Sequence, residues 1–193
     1  MNKLEKKIKS KKAKVGIIGL GYVGLELLSA IGQKNFTVIG FDKNEEKINL
    51  LKKGISPINT VSSNSIKKSK AEYTNIKNYN QISGIDIIII CLPTPLRKNN
   101  TPDNSYLINC LNGIYEYLRK DQLLVIESTV YPGCTENIFV KKIKKKFKIG
   151  KNFFIGFSPE RVSPAKKISL NYNEIEKLVS GKTLKCLKAT KQF

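Results

Sequence analysis

Apolar residues along this chain follow two rhythms. Short apolar runs at Val15–Ile18, Phe36–Phe41, Ile85–Leu92, Gln122–Ile126 and Asn152–Phe157 have the length and composition of strands, and Ile85–Leu92, the clearest of them, is apolar on both faces, as in the middle of a parallel sheet covered by helices. Between them the apolar positions recur at helical spacing: Val23, Leu27, Leu28 and Ile31 share one face. Asn44 to Lys53 has the pattern of a short surface helix, capped by Asn44 and stopped near Gly54. Ile55 to Ser65, with Pro57, Asn59 and several serines, reads as a loop. A lysine-rich helical segment and a short strand near Tyr73–Ile76 are expected next. Asn104 or Ser105 opens a helix that continues to Leu118. Thr135-Glu136 opens another that finishes in the lysines of 141–148, a charge suited to a helix C-terminus. Glu174 to Ser180 is expected as a last strand. Strands alternating with helices predict an α/β fold: a Rossmann-like, doubly wound, mostly parallel sheet in a single domain.

The first strand feeds straight into Gly19-Leu20-Gly21-Tyr22-Val23-Gly24, a G-x-G-x-x-G turn with a helix after it. Each glycine has a physical job there. Gly19 permits the tight turn, Gly21 lets a pyrophosphate approach the backbone, and Gly24 lets the helix press on the sheet. The helix N-terminus adds free N–H groups and about half a positive charge. The second strand ends in Asp42, whose carboxylate can accept both ribose hydroxyls of an adenosine. A bare carboxylate there would repel a 2′-phosphate by roughly 4 kcal/mol at an effective dielectric near 20. That corresponds to about a thousandfold preference for NAD over NADP. Lys43 and Lys47 lie close by and soften this. Residues 14–181 are thus expected to form an NAD-binding domain, between a basic, loosely held lead-in (1–13) and a basic tail (182–193).

Three further strands empty into polar motifs. Ile85–Leu92 runs into Pro93-Thr94-Pro95, where two prolines fix the turn and Thr94 supplies a hydroxyl. Gln122–Ile126 ends in Glu127-Ser128-Thr129, and Asn152–Phe157 ends in Ser158-Pro159-Glu160-Arg161-Val162-Ser163-Pro164. Carboxyl edges of parallel strands are where ligands bind in such sheets.

Composition narrows the alternatives. The formal charge is +20, yet only Arg97, Arg119 and Arg161 are arginine. Bidentate recognition of phosphates and bases favours arginine, so no specific nucleic-acid partner is expected; a general attraction for anionic nucleotides is. No apolar stretch reaches the ~18 residues of a membrane span, and the lysine-rich start lacks a signal-peptide core, so no membrane partner and a cytoplasmic location are expected. Cys91, Cys110, Cys134 and Cys186 form no C-x-x-C pair, and histidine is absent. No metal site, disulfide framework or histidine-based triad is therefore expected.

The segments G-L-G-Y-V-G-L (19–25), C-L-P-T-P-L (91–96), P-D-N-S (102–105), E-S-T-V-Y-P-G-C-T-E (127–136) and S-P-E-R-V-S-P (158–164) occur in one order. Together they resemble the N-terminal part of the UDP-glucose/GDP-mannose dehydrogenase family. The P-T-P-L and E-S-T-V-Y-P-G forms are most similar to its UDP-N-acetylglucosamine and UDP-N-acetylmannosamine 6-dehydrogenases. That resemblance implies oxidation of a sugar C6 alcohol to a carboxylate in two hydride transfers to NAD, with a UDP-sugar as substrate. It implies that Tyr22, Val23, Asp42 and Lys47 line the adenosine and pyrophosphate side, and that Thr94 and Thr129 contact the cofactor. Thr129 would also lie near the catalytic water. Glu160 would act as acid/base, and Arg161 and Val162 would touch the nucleotide sugar.

The departures from the family pattern carry as much weight. Nothing here matches the family's glycine-rich segment with its catalytic cysteine, its central dimerising helix, or its C-terminal UDP-binding domain. Cys134 stands where relatives commonly have a small residue or threonine; at a turn opening a helix its thiol is a candidate for a lowered pKa. The expectation is the NAD-binding portion of a nucleotide-sugar 6-dehydrogenase, incomplete as an enzyme because the acyl-enzyme route needs a thiolate. The alternatives are a non-catalytic NAD-binding module or one half of a split dehydrogenase. The family is homo-oligomeric, but the dimerising helix has no counterpart here.

Overall fold

Four consecutive isoleucines, Ile87–Ile90, alternate their side chains between two separate apolar clusters, one on each face of a single sheet. The same division holds in the neighbouring strands. Val15, Ile17, Leu123 and Val125 pack on one face, and Ile18, Leu124 and Ile126 on the other. A strand buried on both sides needs apolar residues at every position, which is why these strands read as continuous runs. Each such side chain contributes about 1.5–3 kcal/mol by leaving water.

The computed structural model describes residues 3–159 and 176–193. Its strands are β1 (Lys14–Ile18), β2 (Thr37–Asp42), β3 (Glu72–Asn75), β4 (Ile87–Ile90), β5 (Gln122–Ile126), β6 (Phe153–Phe157) and β7 (Ser180–Gly181). They form one sheet in the order β3-β2-β1-β4-β5-β6-β7, parallel except for β7. The fold class is the Rossmann-like one expected. β1 lies between β2 and the central strand β4, with Val15 opposite Val38 on one side and Ile87 on the other. After β3 the chain returns across β1 to lay down β4, so successive strands diverge at β1 and β4. Their carboxyl ends therefore part to leave a crevice.

Helices α2 (Tyr22–Gln33), α3 (Glu45–Lys52), α4 (Ser63–Ser69) and α5 (Ser105–Tyr115) connect the strands, with a 3-10 segment at Ile76–Gly84 before β4. As the sequence suggests, Asn44 caps α3, accepting from the Lys47 N–H at 2.9 Å. The helix after Tyr131-Pro132-Gly133 is wound as a π-turn over Thr135–Val140 and closes as α6 (Lys141–Ile143). None of the described helices is long and apolar enough to cross a membrane.

The two ends differ from expectation. In place of a loose lead-in, Lys3–Lys9 form α1, which buries Leu4 and Ile8. In place of a tail, Leu184–Gln192 form α7, capped by Thr183 and burying Cys186 and Ala189. The two helices meet, with Gln192 donating to the Glu5 carbonyl at 3.1 Å. Lysine-rich sequence hid both, because a stripe of only two or three apolar residues per helix suffices against a surface already formed. The strand expected over 174–180 is limited among the described residues to Ser180–Gly181, paired antiparallel with β6.

Candidate functional site

The crevice begins at the end of β1. Gly19 turns the chain with φ +94° and donates to the Phe41 carbonyl at 2.8 Å. A side chain there would be strained, and its Cβ would lie 2.6 Å from the Cys91 carbonyl oxygen. A Cβ on Gly24 would overlap the Gly19 carbonyl oxygen, so Gly24 is what lets α2 seat against the turn. Gly21 differs from both: a Cβ there meets nothing within 4 Å. It is the N-cap of α2, offers no side-chain cap, and the first turn of α2 holds no acidic residue. The first-turn N–H groups of an α-helix have no acceptor within the helix. Uncapped N–H groups, a positive helix end and open space over Gly21 together suit a diphosphate.

Across the turn, Asp42 is clasped on three sides. Its Oδ2 accepts from the Leu20 N–H at 2.8 Å and from Lys47 Nζ at 3.0 Å; its Oδ1 accepts from the Asn44 N–H at 2.9 Å. Burial works to raise its pKa, but the N–H groups of Asn44 and Leu20 and the Lys47 ammonium outweigh it and hold the carboxyl below its ordinary value. With one bond to Oδ1 against two to Oδ2, Oδ1 keeps lone-pair capacity for a ribose hydroxyl. The ion pair with Lys47 makes the discrimination worked out for a bare carboxylate an upper bound.

The rims after β4 and β5 are tied to each other. The Leu92 N–H donates to Ser128 Oγ at 2.9 Å, and Thr94 Oγ1 donates to the Thr129 carbonyl at 2.5 Å. Glu127, nearly buried, pairs with Lys177 at 2.6 Å. All these edges open on one cleft of about 860 Å³. Of the residues singled out from sequence, Gly19, Gly21, Tyr22, Val23, Asp42, Lys47, Thr94 and Thr129 line it. Gly24 packs just behind. Glu160, Arg161 and Val162 lie outside the described residues; the preceding Ser158 donates its N–H to the Ile126 carbonyl at 3.0 Å, at the carboxyl edge of β5.

Sequence reasoning passed over the opposite wall, made by Ile76 and Tyr79 of the 3-10 segment and by Tyr106 and Asn109 of α5. Tyr106, Asn109 and Cys110 are spaced i, i+3, i+4, which could have flagged one face of α5 as cleft-facing. Lys43 Nζ sits 5.2 Å from the centre of the Tyr106 ring, bridging the two sides. The idea of an activated Cys134 fails on position: the residue is fully buried, and burial raises its thiol pKa. Among the described residues no group of three or more Cys, Asp or Glu side chains gathers to hold a metal ion.

Comparison with known proteins bears directly on this cleft. Residues 13–193 match the family model for the UDP-glucose/GDP-mannose dehydrogenase family, NAD binding domain. The chain is 41% identical over 175 residues to the Staphylococcus aureus protein CapL, covering 90% of this chain and 40% of that protein. It is 35% identical to a UDP-N-acetyl-D-glucosamine 6-dehydrogenase of Pseudomonas aeruginosa, over 90% of this chain and 41% of the relative. Among solved structures, the UDP-D-ManNAc dehydrogenase of Pyrococcus horikoshii superimposes with a TM-score of 0.83 at 26% identity, covering 93% of this chain and 43% of that one. The chain thus spans about two fifths of the length of the relatives it matches.

Proposed function

The chain belongs to the UDP-glucose/GDP-mannose dehydrogenase family and carries its NAD-binding domain, and on that premise we propose that it is the cofactor-holding part of a UDP-N-acetylhexosamine 6-dehydrogenase. NAD, when bound, supplies the hydride acceptor. The N–H groups at Gly21, Tyr22 and Val23 hold its diphosphate, Asp42 Oδ1 takes an adenosine ribose hydroxyl, and Lys47 fixes that carboxylate. Thr94 and Thr129 border the nicotinamide end, with Thr129 beside the water needed for the second oxidation. Glu160 serves as acid/base there, and Arg161 and Val162 meet the nucleotide sugar; these last roles rest on the motif alone. The cytoplasm is the proposed location, in keeping with four cysteines joined in no disulfide.

The observation that carries this reading is the open space over Gly21 at the uncapped start of α2, facing Asp42. Calorimetry on the 193-residue chain tests it: NAD binds, and substitution at Gly21 weakens that binding at least about tenfold. Absence of NAD binding by the folded chain overturns the proposal.

A narrower reading concerns turnover. Cys110, Cys134 and Cys186 are buried, and the partly exposed Cys91 lies at the glycine turn, the diphosphate end of the cleft in this reading. The 193-residue chain is therefore proposed to bind NAD as a module, or as one part of a split enzyme, without completing the oxidation. Steady NADH release from the purified chain with a UDP-amino sugar would refute this.

A further inference from the structure

Gly113 lies in the last turn of α5, two residues before its end, and its backbone is not left-handed, so closing the helix does not require a glycine there. Its reason is steric. A Cβ at this position would overlap Cε2 of Tyr79 and stand 2.7 Å from its Cδ2, and Tyr79 belongs to the 3-10 segment that follows β3. The Cδ2–Cε2 edge of the tyrosine ring thus occupies the space a side chain would fill. Its hydroxyl is held at the buried Cys110 thiol, one turn back along α5; burial first, and then this thiol, raise the Tyr79 pKa well above the ordinary value. The hydroxyl stays protonated, and Tyr79 lines the cleft together with the apolar Ile76. That face stands beside the carboxyl ends of β2 and β3, on the Asp42 side of the crevice.

We infer that Tyr79, seated on Gly113, forms the wall against which the adenine of the dinucleotide packs, and that Gly113 is a positioning residue for adenosine recognition. The inference rests on the cleft being the NAD site and adds which surface reads the base. A planar heteroaromatic ring gains from an aromatic neighbour whose position is fixed, because no ring has to be ordered on binding. Moving Tyr79 by a methyl group's width removes that contact while leaving the glycine turn and Asp42 untouched.

The test is calorimetric titration of the full 193-residue chain with NAD and with AMP, for wild type, Gly113→Ala, Tyr79→Ala, Tyr79→Phe and the double variant Gly113→Ala/Tyr79→Ala. Gly113→Ala and Tyr79→Ala are each expected to weaken AMP and NAD about tenfold. Tyr79→Phe keeps the ring and should stay within about twofold of wild type. In the Tyr79→Ala background the added methyl has nothing to displace, so the double variant should bind AMP no worse than Tyr79→Ala alone. Gly113→Ala affinity equal to wild type overturns the inference, as does a full further loss in the double variant, which would mark Gly113 as merely structural. If wild type binds neither NAD nor AMP, the reading of the cleft itself fails. If wild type binds both and all variants bind equally, only the adenine wall is lost.

Discussion

Two glycines three residues apart give the sharpest test of how the turn works, because the structure assigns them opposite costs. In Gly24→Ala the new methyl overlaps the Gly19 carbonyl oxygen and comes within 3.2 Å of Cys91 Cβ. Both obstacles belong to the strand ends, not to flexible side-chain tips, so α2 must withdraw by on the order of an ångström from a close-packed interface. Overpacking of this kind costs about 1–3 kcal/mol of stability. In Gly21→Ala the methyl meets nothing within 4 Å, and the residue's φ of −79° is ordinary for alanine. Its effect on folding is therefore expected within about 0.5 kcal/mol, alanine's restriction of the unfolded chain being offset by its poorer fit than glycine at an N-cap. Binding reverses the order. The Gly21 methyl occupies the approach of the diphosphate and separates it from first-turn N–H groups, each charge-assisted bond being worth about 1.5–3 kcal/mol. Losing one of them weakens NAD roughly 10- to 150-fold. Urea denaturation gives the first quantity and calorimetry with NAD the second. The reasoning is refuted if Gly21→Ala loses as much stability as Gly24→Ala, or if it retains wild-type affinity for NAD.

Other consequences follow from the charge network and the thiols. Asp86 accepts from Lys7 Nζ at 2.7 Å, from an Arg119 guanidinium nitrogen at 2.8 Å and from the Lys14 N–H at 3.0 Å. Asp86→Ala should cost about 2 kcal/mol in urea denaturation, below the 3–5 of a fully buried pair because both cations are partly in water. Burial pushes the Asp86 pKa up, but its bonds to Lys7, Lys14 and Arg119 prevail and lower it, as similar bonds do for Asp42. A carboxyl depressed in the fold stabilises it fully above the unfolded pKa near ~4 and loses that contribution as pH falls through the folded value. Stability should therefore be level from neutrality down to about pH 5 and decline below about pH 4, with a shallower decline in Asp86→Asn. A thiol reagent should modify Cys91 first, as the partly exposed cysteine in the cleft, and NAD should slow that reaction; the buried Cys110, Cys134 and Cys186 should react only on unfolding. Equal labelling of all four in the folded chain would contradict the burial pattern.

Which features could be read in advance depends on how far apart along the chain their causes lie. β4 announces itself because both its faces are buried, so one short window contains the whole reason for its composition. The glycine turn is legible for the same reason: strand, φ-permissive residue, open approach and helix start fall within eleven residues, 14–24. Asp42 is legible as an acidic residue at a strand end, yet its three donors come from Leu20, Asn44 and Lys47, and only the two on its own loop are local. α1 and α7 fall at the other extreme. Each presents two or three apolar residues among lysines, and what makes them helices is a surface built by distant parts of the chain: α7 packs on β6 and β7 as well as on α1, and Leu4 and Ile8 of α1 join the same core cluster. Tyr79 and Gly113 are the extreme case within the cleft. Neither belongs to a motif, and the sole ground for the glycine is a ring 34 residues earlier in sequence. The half of the cleft built on the glycine turn and the strand ends is thus fixed by local backbone needs that a sequence window exposes. The half built where the 3-10 segment crosses α5 is fixed by side-chain volumes meeting across the fold.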